Sequence, residues 1–300
     1  MAFIDDIKRF WQAGNLLQHI IIINVAVFLV FKVLAVGAAL FAADLSPVLS
    51  FTSLPSTLSA LLHKPWTLIT YMFVHISLWE ILFNMLWLYW LGRIFLEFFT
   101  PKQLGGLYFL GGIGGAALFI LAYTALPALS GQQVALMGSS AAILAIVVGT
   151  AIYAPDYRIN LLLFGQISLK WVALITVFID FLGLESGNTG GHLSHLGGIL
   201  VGLWFGLAIR NGHDITRWLN AAIDWVVNLF SGKQWHMEKR NAGTQRHNPH
   251  RQNGGNARQH KPQPPTESEI DAILDKLKQN GYAALSDEEK ATLFRASGKK

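Results

Sequence analysis

The chain has 300 residues, 52% of them hydrophobic and 14% charged, with a mean hydropathy of +0.40. Soluble domains carry roughly 25% charged residues, so much of this chain belongs in lipid, and the absence of cysteine excludes a disulfide framework, thiol catalysis and thiolate metal sites. The net charge of +5 sits mainly in the C-terminal third and in short loops, the pattern of cytoplasmic parts of a membrane protein rather than of a nucleic-acid surface.

The opening residues, MAFIDDIKRFWQ, carry early acids and lack the small-residue cleavage site of a secretory signal peptide. Residues 3–14 read as a short amphipathic helix in the interface. A first span covers residues 19–42, with Lys32 snorkelling or facing protein. Residues 44–65, punctuated by Pro47, Pro55 and Pro65, form a long non-cytoplasmic loop. The second span, residues 68–96, is unusually polar, with His75, Glu80, Asn84 and Arg93. The third, residues 105–126, is rich in glycine (Gly111, Gly112, Gly114, Gly115), which favours close helix contact. The fourth covers Val134 to Ala154, a linker holds Asp156 and Arg158, and the fifth and sixth spans cover residues 170–184 and 191–209.

Residues 215–230 read as an amphipathic helix along the inner leaflet, residues 233–265 as a basic disordered linker, and residues 266–300 as a small helical hairpin. Thr266-x-x-Glu269 and Ser286-x-x-Glu289 are capping boxes that support the hairpin. The expected segments are thus 1–18 (interfacial), 19–210 (membrane core), 211–232 (juxtamembrane helix), 233–265 (linker) and 266–300 (hairpin). Lys8 and Arg9, Arg93 and Lys102, Arg158 and Lys170, and Arg210 and Arg217 all fall on one side, which predicts cytoplasmic termini. Spans two, four and six then descend from the outer face. With 1.5 Å of rise per residue, Ser140 lies roughly 9 Å and His195 roughly 6 Å below it.

His195 opens the run His195-x-x-Gly198-x-x-x-Gly202-x-x-x-Gly206. Glycine at every fourth position strips one helix face, against which Ala141, Ala145 and Gly149 of the fourth span can pack. Two readings fit: a Ser–His dyad, whose partners must come within about 2.6–3.2 Å, or a structural polar cluster. His192 and His195 share a helix face, but there is no His-Glu-x-x-His and a zinc site needs further ligands. His192 therefore reads as an interfacial hydrogen-bonder. Asp180 reads as a lone intramembrane acid, without the Gly-x-Gly-Asp partner of an aspartyl dyad.

Three motifs occur in a recognisable order: Leu82-Phe83-Asn84-Met85 preceded by Trp66 and His75, then Gly138-Ser139-Ser140-Ala141, then Ser194-His195-x-x-Gly198-x-x-x-Gly202. Together they resemble the rhomboid family of intramembrane serine proteases over residues 15–210. The resemblance implies an all-α, polytopic six-helix transmembrane bundle, with Ser140 as nucleophile and His195 as general base. Asn84 and the Ser140 backbone N–H would donate to the oxyanion. It implies no cofactor and no metal, and as partners the lipid bilayer and transmembrane segments of other proteins, cut near their outer ends. The expected location is the inner (plasma) membrane of a bacterium.

The chain departs from the family pattern at three places. Glu80 stands four residues before Asn84, where a histidine is common; desolvation raises a carboxyl pKa, so a neutral Glu80 would donate a hydrogen bond on the oxyanion side. Leu144 stands where a tyrosine often stacks on the catalytic histidine, and Ser194 where alanine is usual. The rival expectation is a weak or inactive relative that binds or escorts transmembrane helices.

Overall fold

The structure, a computed structural model, describes residues 14–161, 165–185 and 187–230, with scattered positions between 270 and 292. The expected amphipathic segment at residues 3–14, apart from Gly14, and the linker at residues 233–265 lie outside the described residues. Residues Met1–Trp235 form one unit and His236–Lys300 a second.

Helix α1 (Leu16–Leu40) starts at a reciprocal cap. The Gln18 backbone N–H donates to Asn15 Oδ1 at 3.0 Å, and the Asn15 N–H donates to Gln18 Oε1 at 2.9 Å. The loop that follows folds into α2 (Ser46–Thr52), α3 (Leu58–His63) and α4 (Thr67–Thr70), with strand β1 (Leu54–Pro55) between the first two. Next come α5 (Leu78–Phe98) and α6 (Pro101–Ala125), the latter opened by a Thr100–Gln103 capping box with proline at its first position. The second expected span is therefore shortened at its start: a 3₁₀ turn (Tyr71–Phe73) and an extended stretch holding His75 precede α5.

Strand β2 (Ala135–Leu136) pairs antiparallel with β1, and only then does α7 (Ser140–Tyr153) begin. This corrects the expected fourth span, in which Val134 to Met137 were helical. At 14 residues α7 is roughly 21 Å long, and every residue from Ala141 to Ala151 is buried. After it the expected linker is a hairpin, β3 (Arg158–Leu161) with β4 (Gly165–Ser168). Then follow α8 (Leu169–Leu182), a 3₁₀ turn (Gly183–Glu185), α9 (Thr189–Arg210) and α10 (Arg217–Phe230). In the second unit Ser286 and Glu289 make the expected capping box: the Ser286 N–H donates to Glu289 Oε2 at 2.7 Å and the Glu289 N–H to Ser286 Oγ at 3.2 Å.

Helices α1, α5, α6 and α9 are long and apolar enough to cross a membrane; α7 is a shorter apolar helix, and α8 matches its length of 14 residues. Large apolar side chains are exposed around the bundle, among them Val33 on α1, Leu82 on α5 and Phe178 on α8. Such a surface is suited to lipid. Loop contacts sort the two ends. At one end β1 pairs β2; at the other Tyr157 donates to Glu97 at 2.6 Å, Lys102 meets Asp224 at 2.7 Å and Arg210 donates to the Ile152 carbonyl at 3.2 Å.

The centre is α7 clasped by α9, α6 and α5. The glycine face of α9 lies on the α7 backbone as expected. A Cβ on Gly198 would meet the Ala141 carbonyl, and one on Gly202 would lie 2.5 Å from the Ala145 carbonyl oxygen. These neighbours are backbone, so neither can move aside. Gly111 of α6 supplies a similar approach, 2.5 Å from Ala145 Cβ. Gly198→Val should therefore cost about 2–3 kcal/mol through overpacking, read as a lower unfolding temperature in detergent; an unchanged temperature would show that α7 and α9 are not in backbone contact.

Candidate active site

Gly138 turns the chain from β2 into α7 with φ +111°, a conformation that L side chains rarely adopt, and a Cβ there would also lie 2.6 Å from Glu80 Oε1. Its N–H donates to the Tyr71 carbonyl at 2.9 Å. Ser140, the first residue of α7, has no carbonyl one turn back in the helix, so its N–H stays open beside the positive end of the helix dipole.

His75, wholly buried, ties three elements together. The Ser139 backbone N–H lies 3.3 Å from His75 Nε2, and because an N–H can only donate, Nε2 is the acceptor and the ring proton is on Nδ1. Ser139 Oγ and Asn84 Nδ2 each lie 3.2 Å from the same atom and compete for its single lone pair. Asn84 keeps a second amide N–H for the cavity it lines. Burial pushes the His75 ring down to about 4, so it is neutral at pH 7.

His195 lies in the second turn of α9. The Ser140 hydroxyl donates to its Nε2 at 2.5 Å. On the other side of the ring the His195 Nδ1–H donates to Asp180 Oδ1 at 2.5 Å, and the His192 Nδ1–H donates to the same oxygen at 2.7 Å. Asp180 is thus not the lone acid expected: it bridges two histidines with 11% of its side chain exposed. The sequence held a signal for this. Only six residues separate α8 from α9, so Asp180 near the end of one and His192 near the start of the other share one depth. Among the described residues Asp180, His192 and His195 also form a trio of possible metal ligands, their atoms within 4.8 Å of one another, but the hydrogen bonds already use those atoms.

A cavity of about 410 Å³ opens at the β1–β2 end, lined by Glu80, Asn84, Gly138, Ser140, Ser194 and His195 among others. A second, largely apolar groove of about 250 Å³ runs between α5 and α8 past Trp87, Leu144 and Ile179. Asn84, Ser140 and His195 line both. The four site residues expected from sequence therefore lie together. The arrangement offers a hydroxyl on a hydrogen-bond acceptor, with two N–H donors and a carboxyl beside it, which suits attack on a carbonyl.

A rhomboid-domain family model matches residues 62–212. The chain belongs to the rhomboid family. It is 29% identical over 157 residues to RHOMBOID-like protein 12, mitochondrial, of Arabidopsis thaliana, covering 49% of this chain and 47% of that protein. It is 27% identical over 193 residues to Rhomboid protease GlpG of Yersinia enterocolitica, covering 64% and 62%. The chain therefore spans about half to three-fifths of these relatives' lengths. Residues 260–299 match a family of unknown function, DUF6576. With the lipid-suited helices, membership makes this an integral, multi-pass membrane protein.

Two of the departures from the usual rhomboid pattern have clear surroundings. Leu144 lines the apolar groove beside His195, and Ser194 is buried, with its Oγ 2.6 Å from where a Gly115 Cβ would be. His75 carries a testable consequence. A histidine held down at about 4 in the fold, against 6.5 when unfolded, binds fewer protons folded than unfolded between those values. Stability is then full above pH 6.5 and falls as pH drops toward 4, by about 3 kcal/mol. Unfolding temperatures across this window should decline in the wild type and flatten in His75→Gln; equal slopes would remove His75 as the cause.

Proposed function

We propose that this rhomboid-family protein is a serine endopeptidase that cuts transmembrane segments of membrane proteins. The observation that carries the reading is the 2.5 Å contact between Ser140 Oγ and His195 Nε2 at the wall of an open cavity. Ser140 Oγ attacks the scissile carbonyl carbon while its proton passes to His195 Nε2. The Asn84 amide and the Ser140 N–H donate to the resulting oxyanion. When the intermediate collapses, the C–N bond breaks, His195 returns the proton to the leaving amine and an acyl-enzyme remains. Water entering by the cavity gives a proton to His195 and adds its oxygen to the ester carbon; the C–Oγ bond then breaks and His195 passes that proton to Ser140 Oγ, which frees the acid and restores Ser140.

The positive-inside rule supports an orientation with the basic ends of the helices, and both termini, in the cytoplasm of a bacterium. The β1–β2 end then faces outward, and cleavage falls near the outer end of the substrate segment. The division into an interfacial segment over 1–18, a membrane core over 19–210, a juxtamembrane helix over 211–232, a linker over 233–265 and a helical hairpin over 266–300 belongs to the same proposal.

A fluorophosphonate probe should label the wild-type protein and not Ser140→Ala. A folded wild-type sample that stays unlabelled favours the rival function, a relative that binds or escorts transmembrane helices. Glu80, whose Oε1 lies over Gly138 beside the nucleophile, acts in this reading as a neutral donor on the oxyanion side. Glu80→Gln keeps a donor and should retain most activity across pH, while the wild-type rate declines on the alkaline side as the carboxyl ionises. Identical pH–rate profiles in both would remove Glu80 from the chemistry.

A further inference from the structure

The family resemblance implies a dyad, but the geometry here contains a third member and a fourth behind it. We infer that Asp180 is a positioning residue for His195, and that His192 in turn holds Asp180. The inference rests on the peptidase reading above and deepens it.

The argument starts from the ring of His195. Its Nε2 must be free of hydrogen to accept the Ser140 proton, so in the resting state the single ring proton has to sit on Nδ1. A carboxylate accepts and does not donate, so Asp180 Oδ1 at 2.5 Å from Nδ1 selects that tautomer. The same contact fixes the ring plane so that Nε2 faces Ser140 Oγ at 2.5 Å. When the ring takes the serine proton and becomes a cation, the carboxylate beside it offsets the new charge without itself being protonated. No proton need leave Nδ1.

His192 completes the arrangement from the other side. Its Nδ1–H donates to the same Oδ1 at 2.7 Å, and the two imidazole rings stand nearly perpendicular, 85° apart with centroids at 5.6 Å. A carboxyl oxygen held by two N–H donors from successive turns of α9 cannot swing away toward lipid. The element that carries Asp180 is largely exposed around it. Phe178, Ile179, Phe181 and Leu182 around it are 59–66% exposed, and the buried side chains of α8 lie at its far end, at Leu169, Val172 and Ala173. The end of α8 nearest the site packs through Val177 toward Ile199 and through Gly183 against the His192 ring, and this carboxylate adds a charged, directional tie to α9.

The test uses the full chain in detergent or in lipid vesicles, with wild type, Asp180→Asn, His192→Ala and the double variant. Wild type must first label with the fluorophosphonate probe; if it does not, the peptidase reading fails and this inference falls with it. Given labelling, Asp180→Asn should lower kcat at least about 100-fold with KM within about threefold, because its amide can turn an N–H toward Nδ1 and impose the wrong tautomer. His192→Ala should lower kcat less. The double variant should be no slower than Asp180→Asn, since His192 acts through the carboxylate. A carboxylate that only ties α8 down would instead change KM or the unfolding temperature and leave kcat alone. Independently of folding yields, ¹⁵N-histidine spectra of the wild type should place the His195 proton on Nδ1. Labelling with kcat unchanged in Asp180→Asn, or a proton on Nε2 in the wild type, overturns the inference while leaving the peptidase reading intact.

Discussion

The site depends on the contact between two bare helix faces. Gly198 and Gly202 of α9 lie on the carbonyls of Ala141 and Ala145, closer than any side chain would permit. That approach sets the distance between the helix carrying Ser140 and the one carrying His195. In lipid there is little hydrophobic force to draw helices together, so close van der Waals packing is what holds them. A side chain at Gly198 would push the helices apart and lengthen the Ser140–His195 contact. The Ser140–His195 contact is thus specified by residues that take no part in it.

The second constraint is where α7 begins. A helix starting inside the bundle brings unpaired N–H groups and a positive dipole end to a depth where lipid would leave them unsatisfied. Gly138 makes the entry possible, and the approach is fixed by the β1–β2 pair and by the bond from Gly138 to Tyr71. His75 then gathers Ser139 and Asn84 around one ring nitrogen. One turn of irregular backbone therefore sets Ser140, its neighbour Ser139 and the Asn84 amide beside them.

Much of this is legible in the sequence. The long spans follow from hydropathy, and the glycine spacing after His195 pointed correctly to Ala141 and Ala145. The motif residues Asn84, Ser140 and His195 were expected at one depth, and they line one cavity. The start of α7 was not legible, because Val134, Ala135 and Leu136 are as apolar as the helix that follows; strand pairing with Leu54, a tertiary fact, makes them extended. The β3–β4 hairpin was missed for a similar reason, its alternation being too short to stand out from a linker. Asp180 was read as a lone acid because a single acid in an apolar run has no periodicity; the short connection to His192 hinted at its partners, but only the packing of two helices shows them.

Those partners bear on why an acid stands there at all. A carboxylate among exposed apolar side chains at the membrane depth of α8 is costly unless hydrogen-bonded. Even paired, such a group adds little stability, since an apolar residue of similar size would pack in lipid without the desolvation cost. Leucine at position 180 would match Ile179 and Leu182 beside it and would serve α8 better as a membrane helix. The fold instead spends two imidazole N–H groups on keeping one carboxyl oxygen in place. Stability alone does not account for such an arrangement, whereas holding the tautomer and plane of a histidine that touches Ser140 does. The same reasoning separates Asp180 from Lys32, which is exposed on α1 with its Nζ 5.2 Å from the Phe28 ring and has a flexible stem long enough to reach the interface. Aspartate has no such stem, so its charge stays at the depth where the backbone puts it, next to His195.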